Sequence, residues 1–98
     1  MTDFNIGSRN WPGLSKLIEE CGEVLQVGGK LMGSGGDVAH WDGSNLGEKL
    51  IEELGDLFAA MTFFIFINKL PADTIDARRE KKLKRFIDWH LDNGGTTP

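Results

Sequence analysis

The sequence predicts an all-α protein. In this 98-residue chain, apolar residues recur at spacings of three and four, and no segment alternates with period two. Stretches rich in Gly or containing Pro separate three such helical segments. The chain is 40% apolar, which suits one compact domain over residues 1–98, small enough for partner subunits to add to its core. We expect a bundle of three to four helices per chain, completed by oligomerisation.

The first helix is predicted from Pro12 to Lys30, after a loosely ordered segment at residues 1–10. Pro12 suits the first helical position because its missing N–H would be unpaired there. The apolar face of this helix recurs at helical spacing. It consists of Leu14, Leu17, Ile18, Cys21, Val24, Leu25 and Leu31. Residues 28–45 contain six glycines and predict a linker, because glycine lowers helix propensity.

The second helix is predicted from Asn45 to about Asn68. Asn45 and Glu48 have the spacing of a capping box, and Pro71 marks the end of the segment. A third helix is predicted over residues 72–93, with Asp73 or Thr74 as its N-cap. Its apolar stripe consists of Ile75, Leu83, Phe86, Ile87 and Leu91. Residues 94–98 are expected to be loosely ordered.

Charge and composition exclude several classes of protein. The net charge of −4 argues against a general nucleic-acid binder, which usually carries a basic excess. Cys21 is the only cysteine, so no internal disulfide or zinc cluster is expected, and the start at Met1 lacks the pattern of a secretion signal. The most apolar stretch, residues 57–67, is shorter than the roughly 20 residues of a membrane crossing and predicts a buried helix. We expect a cytoplasmic protein without a membrane segment.

One octapeptide occurs twice, as KLIEECGE at residues 16–23 and KLIEELGD at residues 49–56. Within each copy the last two acids of the cluster, Glu20 with Glu23 and Glu53 with Asp56, are three residues apart and share a helix face. Like charges at that spacing repel each other. Two such helices facing each other would bring four carboxylates together, as helix bundles do to hold hard divalent cations. This pattern predicts a Mg²⁺ site, with Mn²⁺ as a possible substitute.

Glycine and lysine accompany the acids in both copies. Gly22 and Gly55 stand mid-helix, where glycine costs roughly 1 kcal/mol relative to alanine, and we expect them to let a facing helix or ligand approach. Lys16 and Lys49 precede Glu20 and Glu53 by four residues and could pair with them or reach a bound phosphate. For one cluster alone a solvated charged face is the simpler interpretation, but two matched clusters favour the metal site.

The motifs resemble those of a known family. EECGE at residues 19–23 followed by ELGD at residues 53–56 resembles the EExxE and ExxD signature of the MazG-like all-α nucleoside triphosphate pyrophosphohydrolases, which include dimeric dUTPases and dCTP pyrophosphatases. The resemblance extends over residues 9–24 and 63–86, and so covers nearly the whole chain. The two motifs are separated by 29 residues, which is a longer spacing than in the compact members of the family.

The resemblance implies hydrolysis of a nucleoside triphosphate between the α and β phosphates, giving the monophosphate and pyrophosphate. It implies that Glu20, Glu23, Glu53 and Asp56 hold Mg²⁺, and that Glu19 supports the site or orients the attacking water. Glu19, Glu20 and Glu53 are the candidate catalytic residues. It also implies a homodimer or homotetramer, for which we expect the apolar helix at residues 57–67 to form the interface.

Substrate contacts are predicted in three places. RREKKLKR at residues 78–85 carries six basic residues, of which Arg79 and Lys82 are candidates for phosphate or sugar contacts together with Lys16 and Asn68. A solvated face explains this run equally well. The aromatic residues Trp11, His40 and Trp41 could stack on a base. Asp42 could accept hydrogen bonds from guanine, although the base preference stays open and core packing is the alternative for either tryptophan.

Two alternatives to this activity remain. The first is a non-catalytic helical module that binds metal, nucleotide or a partner protein without turnover. The second is phosphoribosyl-ATP pyrophosphohydrolase, a related enzyme that acts on a different triphosphate. Assays on a panel of triphosphates distinguish these possibilities.

Overall fold

The computed structural model describes residues 10–97, which form three helices: α1 (Leu14–Gly33), α2 (Leu46–Ile67) and α3 (Ala72–Asp92). Within this range there is no strand, only an isolated bridge between Ala39 and Asn45. The predicted all-α class is confirmed. Residues 1–9, which make up most of the segment at residues 1–10 that was predicted to be loosely ordered, and residue 98 lie outside the described chain.

Helix α1 begins two residues later than predicted, because Gly13 interrupts the chain. Gly13 is the N-cap with a φ of 87°, and Pro12 lies in the preceding turn rather than at the first helical position. A Cβ at Gly13 would stand 3.0 Å from the Phe63 ring. Trp11 stacks on Phe64 with ring centroids 6.1 Å apart. The start of α1 therefore lies against the end of α2, so the two helices form an antiparallel hairpin.

Helix α1 also ends later than predicted. It continues through Gly28 and Gly29 to Gly33, so the connection is residues 34–45 rather than 28–45. Val27 is buried and Leu31 is partly buried. Burial of these side chains on the side facing α2 offsets the low helix propensity of the glycines.

Backbone hydrogen bonds close the connection between α1 and α2. The N–H of Leu46 donates to the carbonyl of Val38 at 2.7 Å, and the N–H of His40 donates to the carbonyl of Ser44 at 3.1 Å. The N–H of Gly43 donates to the carbonyl of His40 at 3.0 Å. Residues 38–46 therefore form a closed turn that leads into α2.

The predicted start of α2 is confirmed. The Asn45 side chain accepts a hydrogen bond from the N–H of Glu48 at 2.9 Å, which satisfies one of the free N–H groups of the first turn. Leu46, Glu53 and Ala60 are the buried residues of α2, and Val27 is that of α1. The hairpin core is therefore narrow, and one of its four members is a carboxylate.

Helix α3 leaves the hairpin after a short connection. Lys69 adopts a left-handed backbone with a φ of 53°, and Pro71 is the N-cap without a side-chain cap, so the predicted caps Asp73 and Thr74 are wrong. Within the described chain no residue of α3 is buried. Its predicted apolar stripe is therefore largely exposed among residues 10–97, with Leu83 and Phe86 about half exposed. Across residues 10–97 no helix has the length and hydropathy that a membrane crossing requires.

Hydrogen bonds continue past the end of α3, in the segment that was predicted to be loosely ordered. The N–H of Gly95 donates to the carbonyl of His90 at 2.8 Å, and the His90 ring lies 2.9 Å from the carbonyl of Thr96. These contacts fold residues 94–96 back onto the last turn of α3.

Candidate metal centre

Three acids of the repeated octapeptide meet between α1 and α2. Glu20 comes from α1, and Glu53 and Asp56 come from the same face of α2, three residues apart. One carboxylate oxygen from each lies within 4.8 Å of those of the other two. The antiparallel hairpin therefore brings the two copies of the motif together, as their spacing predicted.

Glu53 occupies the centre of this group. It is 6% exposed, which is unusual for a carboxylate. Burial raises the pKa of Glu53, the charges of Glu23 and Asp56 raise it further, and Lys49 partly opposes them. The Nζ of Lys49 lies 4.0 Å from Glu53 Oε1, at the outer limit of an ion pair. The folded chain therefore holds a carboxylate that favours either a proton or a cation beside it.

Glu23 was predicted as a fourth ligand. Its carboxylate is not among the three that lie within 4.8 Å of one another, although its charge contributes to the raised pKa of Glu53. The described side chains thus form a site of three acids with Glu23 beside it. Carboxylate oxygens are the ligands that Mg²⁺ and Mn²⁺ prefer, so the donor set fits either ion.

Lys16 and Glu19 form an ion pair on the first turns of α1. The Nζ of Lys16 lies 3.1 Å from Glu19 Oε1, and both side chains are about half exposed. Lys16 therefore pairs with Glu19, three residues on, rather than with Glu20 as its spacing suggested. Glu19 stands outside the three-acid group, so an indirect role is the only one its position favours.

A cleft of about 440 Å³ opens beside the acids. It is lined by Lys16, Glu20, Asp56, Ala59, Ala60 and Phe63. Ala59, Ala60 and Phe63 were not among the predicted site residues. Their spacing of three, four and seven residues from Asp56 places them on its helix face, and this periodicity was the available signal. The two alanines leave space next to the carboxylates, and Lys16 adds the one cation of the lining.

Gly22 and Gly55 were predicted to let a facing helix or a ligand approach, and within the described chain the facing helix does not come close to either. Apart from the backbone of their own helix and their neighbours, no atom of residues 10–97 lies within 4 Å of a Cβ built on Gly22 or Gly55. The facing helix therefore does not use the space that these glycines leave.

The loop residues predicted to read a base lie together in the closed turn before α2. The rings of His40 and Trp41 are 5.6 Å apart, and Trp41 is 89% exposed, so it is not a core residue. The Oδ1 of Asp42 accepts hydrogen bonds from the N–H and the hydroxyl of Ser44. These bonds lower the pKa of Asp42. Asp42 thus uses one oxygen of its carboxylate, the group that was predicted to accept hydrogen bonds from guanine, to shape the turn.

The remaining predicted contacts lie elsewhere. Trp11 packs on Phe64, and the Asn68 amide donates to the carbonyls of Pro12 and Phe64. On α3, Arg79 pairs with Asp76 and Glu80, and the Lys82 ammonium stands 5.9 Å from the centre of the Phe86 ring.

These groups are too widely spaced to serve one nucleotide in one chain. The 22 residues of α2 span about 33 Å, with the closed turn at one end and Asn68 at the other. Glu53 lies about one third of the way along. Of the predicted phosphate contacts within residues 10–97, only Lys16 lines the cleft beside the acids.

Comparisons of the chain with protein-family models, with curated proteins and with solved structures give no match.

Proposed function

We propose that this chain is a Mg²⁺-dependent nucleoside triphosphate pyrophosphohydrolase that acts as a homo-oligomer and releases the monophosphate and pyrophosphate. The observation that carries the proposal is the group of three carboxylates around buried Glu53, placed next to a cleft that contains Lys16. The resemblance of the two motifs to the MazG-like family supplies the reaction.

Glu20, Glu53 and Asp56 would hold the ion, with Mn²⁺ as a possible substitute. When bound, the metal supplies charge neutralisation on the triphosphate and on the leaving pyrophosphate. The burial of Glu53 keeps its carboxylate poorly solvated, which strengthens its attraction to a cation. Glu23 adds negative charge beside the site.

The cleft suits a phosphate chain next to the acids. Lys16 can leave Glu19 for a phosphate oxygen, because an exposed ion pair of this kind is worth less than about 1 kcal/mol. Glu19, once released, could accept a hydrogen bond from a water that attacks the phosphate. Ala59 and Phe63 give one side of the cleft an apolar lining.

A second chain would complete this enzyme. Phe58 and Phe66 of α2 are exposed, and a groove of about 920 Å³ lies between the end of α2 and the start of α3. Exposed apolar surface of this kind is typical of interaction sites and supports an interface here. Pairing through this groove would also bring Arg79, which lines it, towards another chain. Mass measured in solution at micromolar concentration tests the point, and a 10.9 kDa monomer would contradict it.

The test of the activity is a panel of ribo- and deoxyribonucleoside triphosphates with Mg²⁺, extended by phosphoribosyl-ATP, followed by separation of the products. Monophosphate with pyrophosphate supports the proposal, whereas diphosphate with orthophosphate moves the cleavage to another bond. Asp56→Asn should abolish turnover. Glu52→Gln is the matched control, since Glu52 is an exposed acid on the same helix outside the group, and it should retain activity.

The non-catalytic module is the second candidate, and the same acid cluster favours it. It predicts that Mg²⁺ raises the melting temperature of the wild type and of Glu52→Gln but not of Asp56→Asn, without turnover of any triphosphate.

A further inference from the structure

The cleft beside the acids has a charged end and an apolar end. The charged end contains Glu20, Asp56 and Lys16, and Lys16 precedes Glu20 by one helical turn, about 6 Å along α1. At the apolar end, Phe63 follows Asp56 by seven residues, about 10 Å along α2. Both steps run in the same direction, because the two helices are antiparallel. The cleft therefore leads from the acids past Lys16 to Phe63.

Phe63 is held in place at the apolar end. A Cβ built on Gly13 would stand 3.0 Å from the Phe63 ring, so the ring packs against the start of α1. The side chain also lines the cleft, and Phe63 is 37% exposed. An aromatic ring that is packed on one part and open on another offers a fixed stacking surface to a flat ligand.

The apolar end offers stacking without hydrogen bonds. Among residues 10–97, the polar side chains of the cleft belong to its charged end, and Ala59 and Ala60 complete the lining next to Phe63. The backbone N–H and C=O groups at these positions lie in the interior of α2 and are used by helical hydrogen bonds. A base at this end would be held by shape and stacking, and stacking serves every base because each has a π-face.

We propose that the cleft holds a nucleoside triphosphate in one direction, with its phosphates at the acids and Lys16 and its base stacked on Phe63, and that the protein therefore discriminates little between bases. The inference rests on the proposed function, which supplies the triphosphate, and adds where the base lies. The sugar separates the phosphates from the base, so the base falls farther along the cleft than Lys16. The cleft volume of about 440 Å³ is within the range of about 300–1,000 Å³ for small-molecule sites.

The direction of the cleft keeps the base away from the closed turn at residues 38–46. That turn leads into Leu46, which lies ten residues before Asp56, about 15 Å along α2. Phe63 lies on the other side of Asp56. A nucleotide in the cleft therefore points its base away from Trp41, which does not contact it.

Equilibrium binding tests the inference with α,β-methylene analogues of ATP, GTP, CTP and UTP, which cannot be cut between the α and β phosphates. Calorimetry with Mg²⁺ compares their affinity with that of tripolyphosphate, which has neither sugar nor base. The wild type should bind the four analogues within about tenfold of one another, since stacking tolerates any base. Phe63→Leu should weaken the binding of all four by about tenfold or more and leave that of tripolyphosphate unchanged.

Two further variants serve as controls. Phe63→Tyr keeps the ring and should bind the analogues as the wild type does. Trp41→Leu removes an exposed ring from the closed turn and should also keep wild-type affinity. Leucine keeps an apolar side chain against Gly13, so Phe63→Leu should fold, which circular dichroism checks.

Several results would overturn the inference. They are wild-type affinity of Phe63→Leu for the analogues, an equal loss of affinity for tripolyphosphate, a loss in Trp41→Leu, and a wild-type preference of more than about tenfold for one base. Absence of analogue binding by the wild type would overturn it as well.

The binding experiment separates this inference from the proposed activity. If the wild type releases pyrophosphate while Phe63→Leu binds the analogues normally, the activity stands and the inference fails. If the analogues bind through Phe63 and no triphosphate is hydrolysed, the inference stands and the activity fails.

Discussion

The side-chain amide of Asn68 donates one hydrogen bond to the carbonyl of Pro12, at 2.8 Å, and one to the carbonyl of Phe64, at 2.9 Å. The first bond joins residues 56 positions apart and ties the start of α1 to the end of α2. Asn68→Ala should therefore lower the free energy of unfolding by about 1 kcal/mol, as measured by denaturant titration. Asn68→Asp, which keeps the size but loses the donors, should lose at least as much.

Asn68 was predicted to contact phosphate or sugar, and kinetics can separate the two roles. With a structural role, kcat and KM of the folded Asn68→Ala protein stay near wild type. An unchanged unfolding free energy with a raised KM would contradict the structural role.

The raised pKa of Glu53 gives the metal-free protein a characteristic pH dependence. The folded state binds this proton more tightly than the unfolded state, so stability falls as pH rises from the ordinary value of 4.5 through the raised pKa. Glu53→Gln removes this dependence. The melting temperature of Glu53→Gln should exceed that of wild type at neutral pH without metal, and the difference should vanish below about pH 4.5.

With excess Mg²⁺ at neutral pH, the melting temperature of wild type should exceed that of Glu53→Gln, because only the wild type retains all three acids. Glu52→Gln serves as the control and should follow the wild-type curve. Parallel curves for wild type and Glu53→Gln between about pH 4 and pH 8 would show that Glu53 does not favour its proton in the fold.

Two substitutions in the closed turn before α2 can distinguish a structural role of this turn from a role in base recognition. Asp42→Ala removes two hydrogen bonds to Ser44 and should lower the melting temperature. Trp41→Ala should leave it within the range of a surface substitution, about 0.5 kcal/mol of stability. If this turn selects the base, Trp41→Ala raises KM for the preferred nucleotide and changes the order among nucleotides. If Trp41→Ala keeps the wild-type order of preference among nucleotides, the turn does not select the base.

Replacing Gly13 or Gly55 by alanine should change the stability of the protein in opposite directions. Gly13→Ala places a side chain at a φ of 87° and 3.0 Å from Phe63, so it should destabilise the protein by about 1–2 kcal/mol or more. Gly55→Ala meets no atom within 4 Å and should stabilise it by up to about 1 kcal/mol. A loss in Gly55→Ala would instead indicate that a ligand or a second chain closes on that position.

Features set by local hydrogen bonds were predictable from the sequence. The Asn45 cap depends on residues three apart, and the pairing of Glu53 with Asp56 follows from helix periodicity. The end of α1 was not predictable in this way, because it depends on what Val27 and Leu31 pack against in α2. The Asn68 amide likewise binds a carbonyl that is distant in sequence.

The sequence also did not predict that Glu20 joins the three-acid group while Glu23 stays outside it, and the cause is the same. Both lie on one face of α1, and their spacing cannot say which of the two points towards α2. That choice depends on how the two helices cross, which the whole interface between them determines. Local contacts can also be missed. Asp42 and Arg79 were predicted to contact a ligand, but each forms a hydrogen bond with a residue no more than three positions away.

The weak attachment of α3 has a consequence for how the chain folds. The hairpin contacts join α1 and α2 through a twelve-residue connection, residues 34–45, so they form between segments near in sequence and should form quickly. Helix α3 gains little from the hairpin alone. If the proposed oligomer forms through α3, stopped-flow refolding should show a fast phase that is independent of protein concentration, followed by a slower phase that accelerates with concentration. Amide hydrogens of α3 should exchange with solvent sooner than those around Val27 and Ala60 when the protein is diluted.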